Sequence, residues 1–264
     1  MESFNKILEN HCLEKNNRLC IGLDIDNRKL ENTSLDYMKS FTKDIIDNTI
    51  DLCPVYKINL AFYERLGYEG IKILSDICNH IGSKAIKIGD AKRGDIGNSS
   101  KYYAEAIFEK FGFDSITVSP YMGRDSVEPF LEYKDKGTFI LCLTSNKGSE
   151  DLQGKTLTNN KPVYSHIAEF ANNLNYNDNV GLVVGATKTD DMKDLKLISG
   201  SLPWLIPGVG FQGGNLEESL SIGSINNSIP LINVSRGIIY AGNGSIQEIR
   251  KAAEKYTNEI RDLL

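Results

Sequence analysis

Two spacings of apolar residues take turns along this chain. Short apolar runs at 19–24, 54–59, 84–90, 115–118, 138–143, 180–184, 202–206 and 231–234 have the length and side-chain types of buried strands. Between them lie amphipathic stretches with helical spacing, at about 35–50, 61–80, 96–111, 123–133, 162–174, 188–198, 215–225 and 245–262. Strict alternation of strand and helix implies a parallel sheet, and eight such units predict a closed (β/α)8 TIM barrel of the α/β class. No Pro- or Ser-rich linker divides the chain, so residues 1–264 read as a single domain. The polar, amphipathic residues 1–16 add an N-terminal helical extension. An open doubly wound sheet is the alternative. It is weakened by the first strand-to-helix turn, Gly22-Leu23-Asp24-Ile25-Asp26, which lacks the glycine spacing of a dinucleotide site.

A barrel places its chemistry at the C-terminal ends of the strands. There the chain carries Asp24, then Lys57 and Asn59, then Asp90 and Lys92, then Thr144 and Ser145. Strand 7 runs into a glycine-rich stretch, Pro207 to Gly214, and strand 8 into Ser235-Arg236-Gly237. Side chains on a strand alternate faces, so Ile86, Ile88, Asp90 and Lys92 share one face if strand 3 persists to Lys92. Taken alone, Asp90-Ala91-Lys92-Arg93-Gly94-Asp95 could be a surface ion pair at a turn. Lysines ending two successive strands, each in phase with an amide or a carboxylate, favour a site instead. Glycines after strand 7 with an arginine after strand 8 favour phosphate binding, because backbone N–H groups and a guanidinium both suit phosphate oxygens.

Composition narrows the partners. A net charge of −5 argues against general nucleic-acid or anionic-membrane binding, so an anionic substrate needs a local basic pocket. The five cysteines form no CxxC pair and read as buried free thiols. The histidines, His11, His80 and His166, lack ligand spacing, which argues against a histidine-based zinc site or triad. Without an apolar leader or a membrane-length run, the expected location is cytoplasmic.

From Leu19 to about Tyr240 the chain resembles the orotidine 5′-phosphate decarboxylase family, in its bacterial and apicomplexan branch. The resemblance rests on Leu23-Asp24, Lys57-Ile58-Asn59, Asp90-Ala91-Lys92-Arg93-Gly94-Asp95-Ile96-Gly97, Leu143-Thr144-Ser145-Asn146, Gly185-Ala186-Thr187, Pro207-Gly208-Val209-Gly210 with Gln212-Gly213-Gly214, and Ser235-Arg236-Gly237. Phe211 stands where the family usually carries a small residue. The resemblance implies decarboxylation of orotidine 5′-phosphate to UMP without metal or cofactor. It implies a charge array of Lys57, Asp90, Lys92 and Asp95, in which Lys92 stabilises and protonates the C6 carbanion. It further implies a homodimer, with Asp95 and Ser99 reaching the partner's site. Asp24 and Lys57 would meet the ribose, Asn59 would line the pocket, and Thr144 and Ser145 would meet the pyrimidine. Pro207 would join the substrate-binding residues, and Gln212, Gly213, Gly214 and Arg236 would hold the phosphate. The segment 146–161 would act as a lid.

Two other readings stay open. Related barrels use a similar Asp-x-Lys-x-x-Asp pattern for magnesium-dependent chemistry on sugar phosphates, which EDTA would abolish. A non-catalytic nucleotide-binding paralogue is the other, and the Lys57/Asp90/Lys92/Asp95 set argues against it, since binding alone has no need of such charges.

Overall fold

The computed structural model describes residues 2–210 and 213–264. Eight parallel strands close into a barrel in chain order: β1 (Leu19–Gly22), β2 (Val55–Asn59), β3 (Ile86–Arg93), β4 (Ser115–Val118), β5 (Gly137–Leu143), β6 (Val180–Val184), β7 (Trp204–Pro207) and β8 (Pro230–Val234), with β8 pairing back onto β1. The helices are α1 (Phe4–Glu14), α2 (Leu35–Asp47), α3 (Ala61–Glu64), α4 (Gly67–Ile81), α5 (Gly97–Glu105), α6 (Glu128–Leu131), α7 (Val163–Leu174), α8 (Thr189–Ser199), α9 (Leu216–Gly223), α10 (Arg236–Ile239) and α11 (Ile246–Arg261). Most of them pack their apolar stripes on the outer face of the strands. No helix among the described residues is long and apolar enough to cross a membrane.

Strands buried on both faces need apolar residues in both phases, which is why these runs are nearly continuous rather than alternating. One phase points outward under the helices. The other fills the barrel with Cys20, Val55, Ile86, Ile88, Phe139, Val183, Leu205 and Leu231. Register sets the layers: Cys20 lies beside Val55 and Val55 beside Ile86, then Lys57 beside Ile88, then Asn59 beside Asp90. The inward phase thus turns from apolar to charged on rising toward the C-terminal ends of the strands.

At the opposite end α1 closes the barrel. Ser3 caps it, accepting a hydrogen bond from the Lys6 N–H at 3.3 Å. Phe4 inserts against Phe139, with ring centroids 6.3 Å apart and edge to face. Position 137 has to be glycine here, since a Cβ would lie 2.2 Å from the Phe4 ring. The N–H groups of Phe4 and Asn5 donate to the carbonyls of Lys134 and Asp178, at the entries to β5 and β6. The last turn of α11 reaches the same end, where Arg261 donates to the carbonyls of Lys15 and Asn16.

Three expected elements differ in detail. The helix expected at 61–80 is two, because the chain turns at Gly67 with φ +64°. The one expected at 96–111 ends in a turn of π-helix, Ala106–Lys110. The one expected at 123–133 shrinks to a 3-10 turn, Arg124–Ser126, and α6, which carries Pro129 in its first turn.

Candidate active site

Four charged side chains alternate in sign across the mouth of the barrel. Lys57, on β2, is buried with its side chain 6% exposed. Its Nζ lies 3.1 Å from Asp90 Oδ2 and 3.6 Å from Asp24 Oδ1. Lys92 Nζ bonds the other oxygen of Asp90, Oδ1. Burial alone would push the Asp90 carboxyl up, but the ammonium groups of Lys57 and Lys92 and their hydrogen bonds outweigh it and hold it down at about 2. Burial would lower Lys57 in turn, and the charges of Asp24 and Asp90 more than reverse this, keeping it protonated. Such a buried row is tolerable only because each charge has an opposite neighbour. Lys92 differs from the rest in being half-exposed at the opening.

The chain bulges where Asp90 and Lys92 sit. Gly89 pairs with Ile116 and Arg93 with Val118, so three residues of β3 face one residue of β4. Lys92 takes φ +49° there, a region that non-glycine residues enter at a cost of about 1 kcal/mol. The residue opposite is Thr117, 1% exposed. Its hydroxyl donates to Asp90 Oδ1 at 3.0 Å and accepts from the Lys92 N–H at 3.0 Å. Nothing in the run Ser115–Val118 distinguishes Thr117 from any strand residue, and only the bulge exposes its position.

A cavity of about 320 Å³ opens above these groups. It brings together most of the residues expected from the sequence: Asp24, Lys57, Asn59, Asp90, Lys92, Thr144, Ser145, Pro207 and Arg236, with Thr117 and Asn233 added. Arg236 also borders a neighbouring cavity of about 730 Å³ beside Tyr37, Phe41 and Tyr240. The glycine-rich loop folds on itself through positive φ at Gly208, Gly210 and Gly213. The N–H of Gly213 bonds the Gly210 carbonyl and that of Gly214 bonds the Gly208 carbonyl, so neither glycine lines the cavity as expected. Gln212 and Phe211 lie outside the described residues.

Asp95 and Ser99 also stand apart from this cavity. The Asp95 carboxylate accepts the Ile96 N–H at 2.8 Å, and Ser99 is exposed on α5. Close to them in the chain, Ile96 and Tyr102 are open to solvent, 55% and 63% exposed, and Met122 after β4 is 45% exposed. On the other side of the mouth, Gln153 clasps Thr144. Its Oε1 accepts the Thr144 N–H at 2.8 Å and its Nε2 donates to the Thr144 hydroxyl at 2.9 Å. Lys188 holds the same segment through Ser149 Oγ, at 2.9 Å, and Glu150. Gln153 escaped sequence reasoning because a glutamine in a polar loop carries no periodic signal.

The profile of the "Orotidine 5'-phosphate decarboxylase / HUMPS family" matches residues 17–258. A relative named orotidine 5′-phosphate decarboxylase from Dehalococcoides mccartyi is 47% identical over 250 residues, 93% of this chain and 91% of the relative. One of the same name from Christiangramia forsetii is 46% identical over 262 residues, 96% of each chain. Among solved structures, OMP decarboxylase from Leishmania donovani superposes with a TM-score of 0.87 at 36% identity, over 99% of each chain.

Proposed function

We propose that this chain, which belongs to the orotidine 5′-phosphate decarboxylase / HUMPS family, is the decarboxylase: a carboxy-lyase converting orotidine 5′-phosphate to UMP and CO2, the last step of de novo pyrimidine nucleotide synthesis. The observation that carries this reading is the alternating row Asp24, Lys57, Asp90, Lys92 at the cavity floor. Breaking the C6–carboxylate bond leaves its electron pair on C6, in the ring plane, where no π system spreads the charge. A fixed cation beside that carbon stabilises the developing anion without reorganisation. Lys92 supplies that cation and then a proton, so C6–H forms while an N–H bond of the lysine breaks. Solvent at the half-exposed lysine restores the ammonium.

Asp90 serves this step by holding Lys92 in place and by facing the substrate carboxylate, whose charge passes to C6 as neutral CO2 departs. Lys57 holds Asp90 and, with Asp24, meets the ribose; Asn59 lines the pocket beside it. Lys57 sits between the carboxylates of Asp24 and Asp90, where its ammonium balances both charges. Thr144 and Ser145 meet the pyrimidine. Arg236 grips the phosphate, and Pro207 lines the same cavity; Gln212 adds to that grip, as do Gly213 and Gly214 once their N–H groups leave their bonds within the loop. Phosphate held far from C6 contributes binding energy remotely, through loop closure.

Two copies associate so that Asp95 and Ser99 of each complete the other's site. Support comes from their absence from the lining of their own cavity and from the exposed Ile96 and Tyr102, which neighbour them in the chain. The single barrel domain works in the cytoplasm, where five unpaired thiols are at home. Purified protein incubated with orotidine 5′-phosphate is expected to bleach the orotate absorbance, with UMP formed in equal amount and EDTA without effect. Failure to turn over substrate while UMP binds would sink this function.

A further inference from the structure

Ser115 Oγ and Thr138 Oγ1, buried on β4 and β5, make no hydrogen bond at all. Thr117, two residues beyond Ser115, makes two, and both go to the reacting pair. The cause lies in the register. β3 advances from Gly89 to Arg93 while β4 advances only from Ile116 to Val118, so Asp90, Ala91 and Lys92 have Thr117 alone opposite them. The Lys92 N–H accordingly goes to the Thr117 hydroxyl rather than to a β4 carbonyl. The proton of that hydroxyl goes to Asp90 Oδ1, the same oxygen that holds Lys92 Nζ.

We infer that Thr117 is a positioning residue for the reaction: one hydroxyl anchors the Lys92 backbone at its positive φ and the carboxylate that aims the Lys92 ammonium. The inference rests on the decarboxylase reading and deepens it. Substrate need not touch Thr117 for this to matter. A proton donor displaced by a fraction of an ångström loses rate in the chemical step, while contacts to ribose and phosphate keep their strength.

The test begins with wild-type turnover of orotidine 5′-phosphate, since a chain inert toward it removes the decarboxylase reading itself. Thr117→Val keeps the shape and removes the hydroxyl, leaving the Lys92 N–H and one carboxylate oxygen without it. The expected result is a kcat lower by about 10- to 100-fold, the effect of losing hydrogen bonds around charged groups, with KM and UMP affinity unchanged. Thr117→Ser, which keeps the hydroxyl, restores most of the rate. Should the valine variant fail to fold, Thr117→Ser is compared with Thr117→Ala, and the serine form is expected to be faster by about tenfold or more. Equal kcat for the hydroxyl and non-hydroxyl forms overturns the inference. So does a loss of rate that follows thermal stability and UMP affinity downward together.

Discussion

Lys196 on α8 is wholly buried, with its Nζ 3.3 Å from the Leu202 carbonyl and 4.7 Å above the centre of the Trp204 ring. Burial pushes it from the ordinary 10.5 down to about 7. In the unfolded chain the same lysine stays protonated up to its ordinary value. Between pH 7 and 10.5 the unfolded state therefore holds a proton that the folded state lacks, and stability rises with pH across this window. At about 1.4 kcal/mol per pH unit, the whole shift corresponds to about 5 kcal/mol of stability missing below pH 7 and recovered by about pH 10.5. Lys196→Met removes the titration and keeps an apolar chain of similar length in place. The Leu202 carbonyl is not orphaned, because Ser228 Oγ also donates to it at 2.6 Å. The variant is expected to be more stable than wild type by about 4 kcal/mol at pH 7, an advantage narrowing by about 2 kcal/mol at pH 9. Urea unfolding of both proteins at pH 6, 7.5 and 9 measures this. Taking the difference cancels the buried thiols, which titrate alike in the two chains. A difference that does not change with pH, or a less stable variant, would refute the reasoning.

Lys92→Ala should abolish turnover and leave UMP binding largely intact, by calorimetry on the purified variant, because the lysine acts on C6 rather than on ribose or phosphate; near-normal turnover would show the proton donor misassigned. Mixing Asp95→Ala with Lys92→Ala subunits should restore activity through hybrids carrying one unaltered site, as expected if Asp95 lies outside its own cavity to serve the partner's; hybrids isolated and found dead would end the shared-site proposal. Gln153→Ala frees the N–H of Thr144 and leaves its hydroxyl to Asn146 Oδ1 alone, at 2.6 Å, and KM for orotidine 5′-phosphate should rise by about tenfold, the scale of one to two hydrogen bonds, with kcat little changed; an unaltered KM would mean that the clasp has no part in pyrimidine binding.

The phase of the inward residues was legible in the sequence because a strand side chain has only two choices of face. Val55, Lys57 and Asn59 on β2, with Ile86, Ile88 and Asp90 on β3, therefore arrive in register from pattern alone. Lys92 also faces the cavity, though not by simple continuation of that phase. Two extra residues in β3 intervene, and no sequence pattern announces a bulge whose partner strand is what defines it. Thr117 was hidden for the same reason, being an uncharged residue in an apolar run. The turn at Gly67 and the clasp of Gln153 on Thr144 depend on tertiary neighbours rather than on local propensity. Gly213 and Gly214 show the converse, since their positions read as phosphate donors while their N–H groups bond within their own loop.

Both ends of this chain emerge on the side of the barrel that α1 seals, with Arg261 tied to Lys15 and Asn16 and Phe4 lodged beneath Phe139. A tag, fusion partner or surface linker joined at either end would therefore hang from the sealed base and leave the opposite face clear. For practical use this means that the protein can be immobilised or displayed by its termini with substrate still free to enter. The same geometry limits the point of attachment at the front, because a linker that begins within Phe4 or Asn5 would pull the plug from the base it closes.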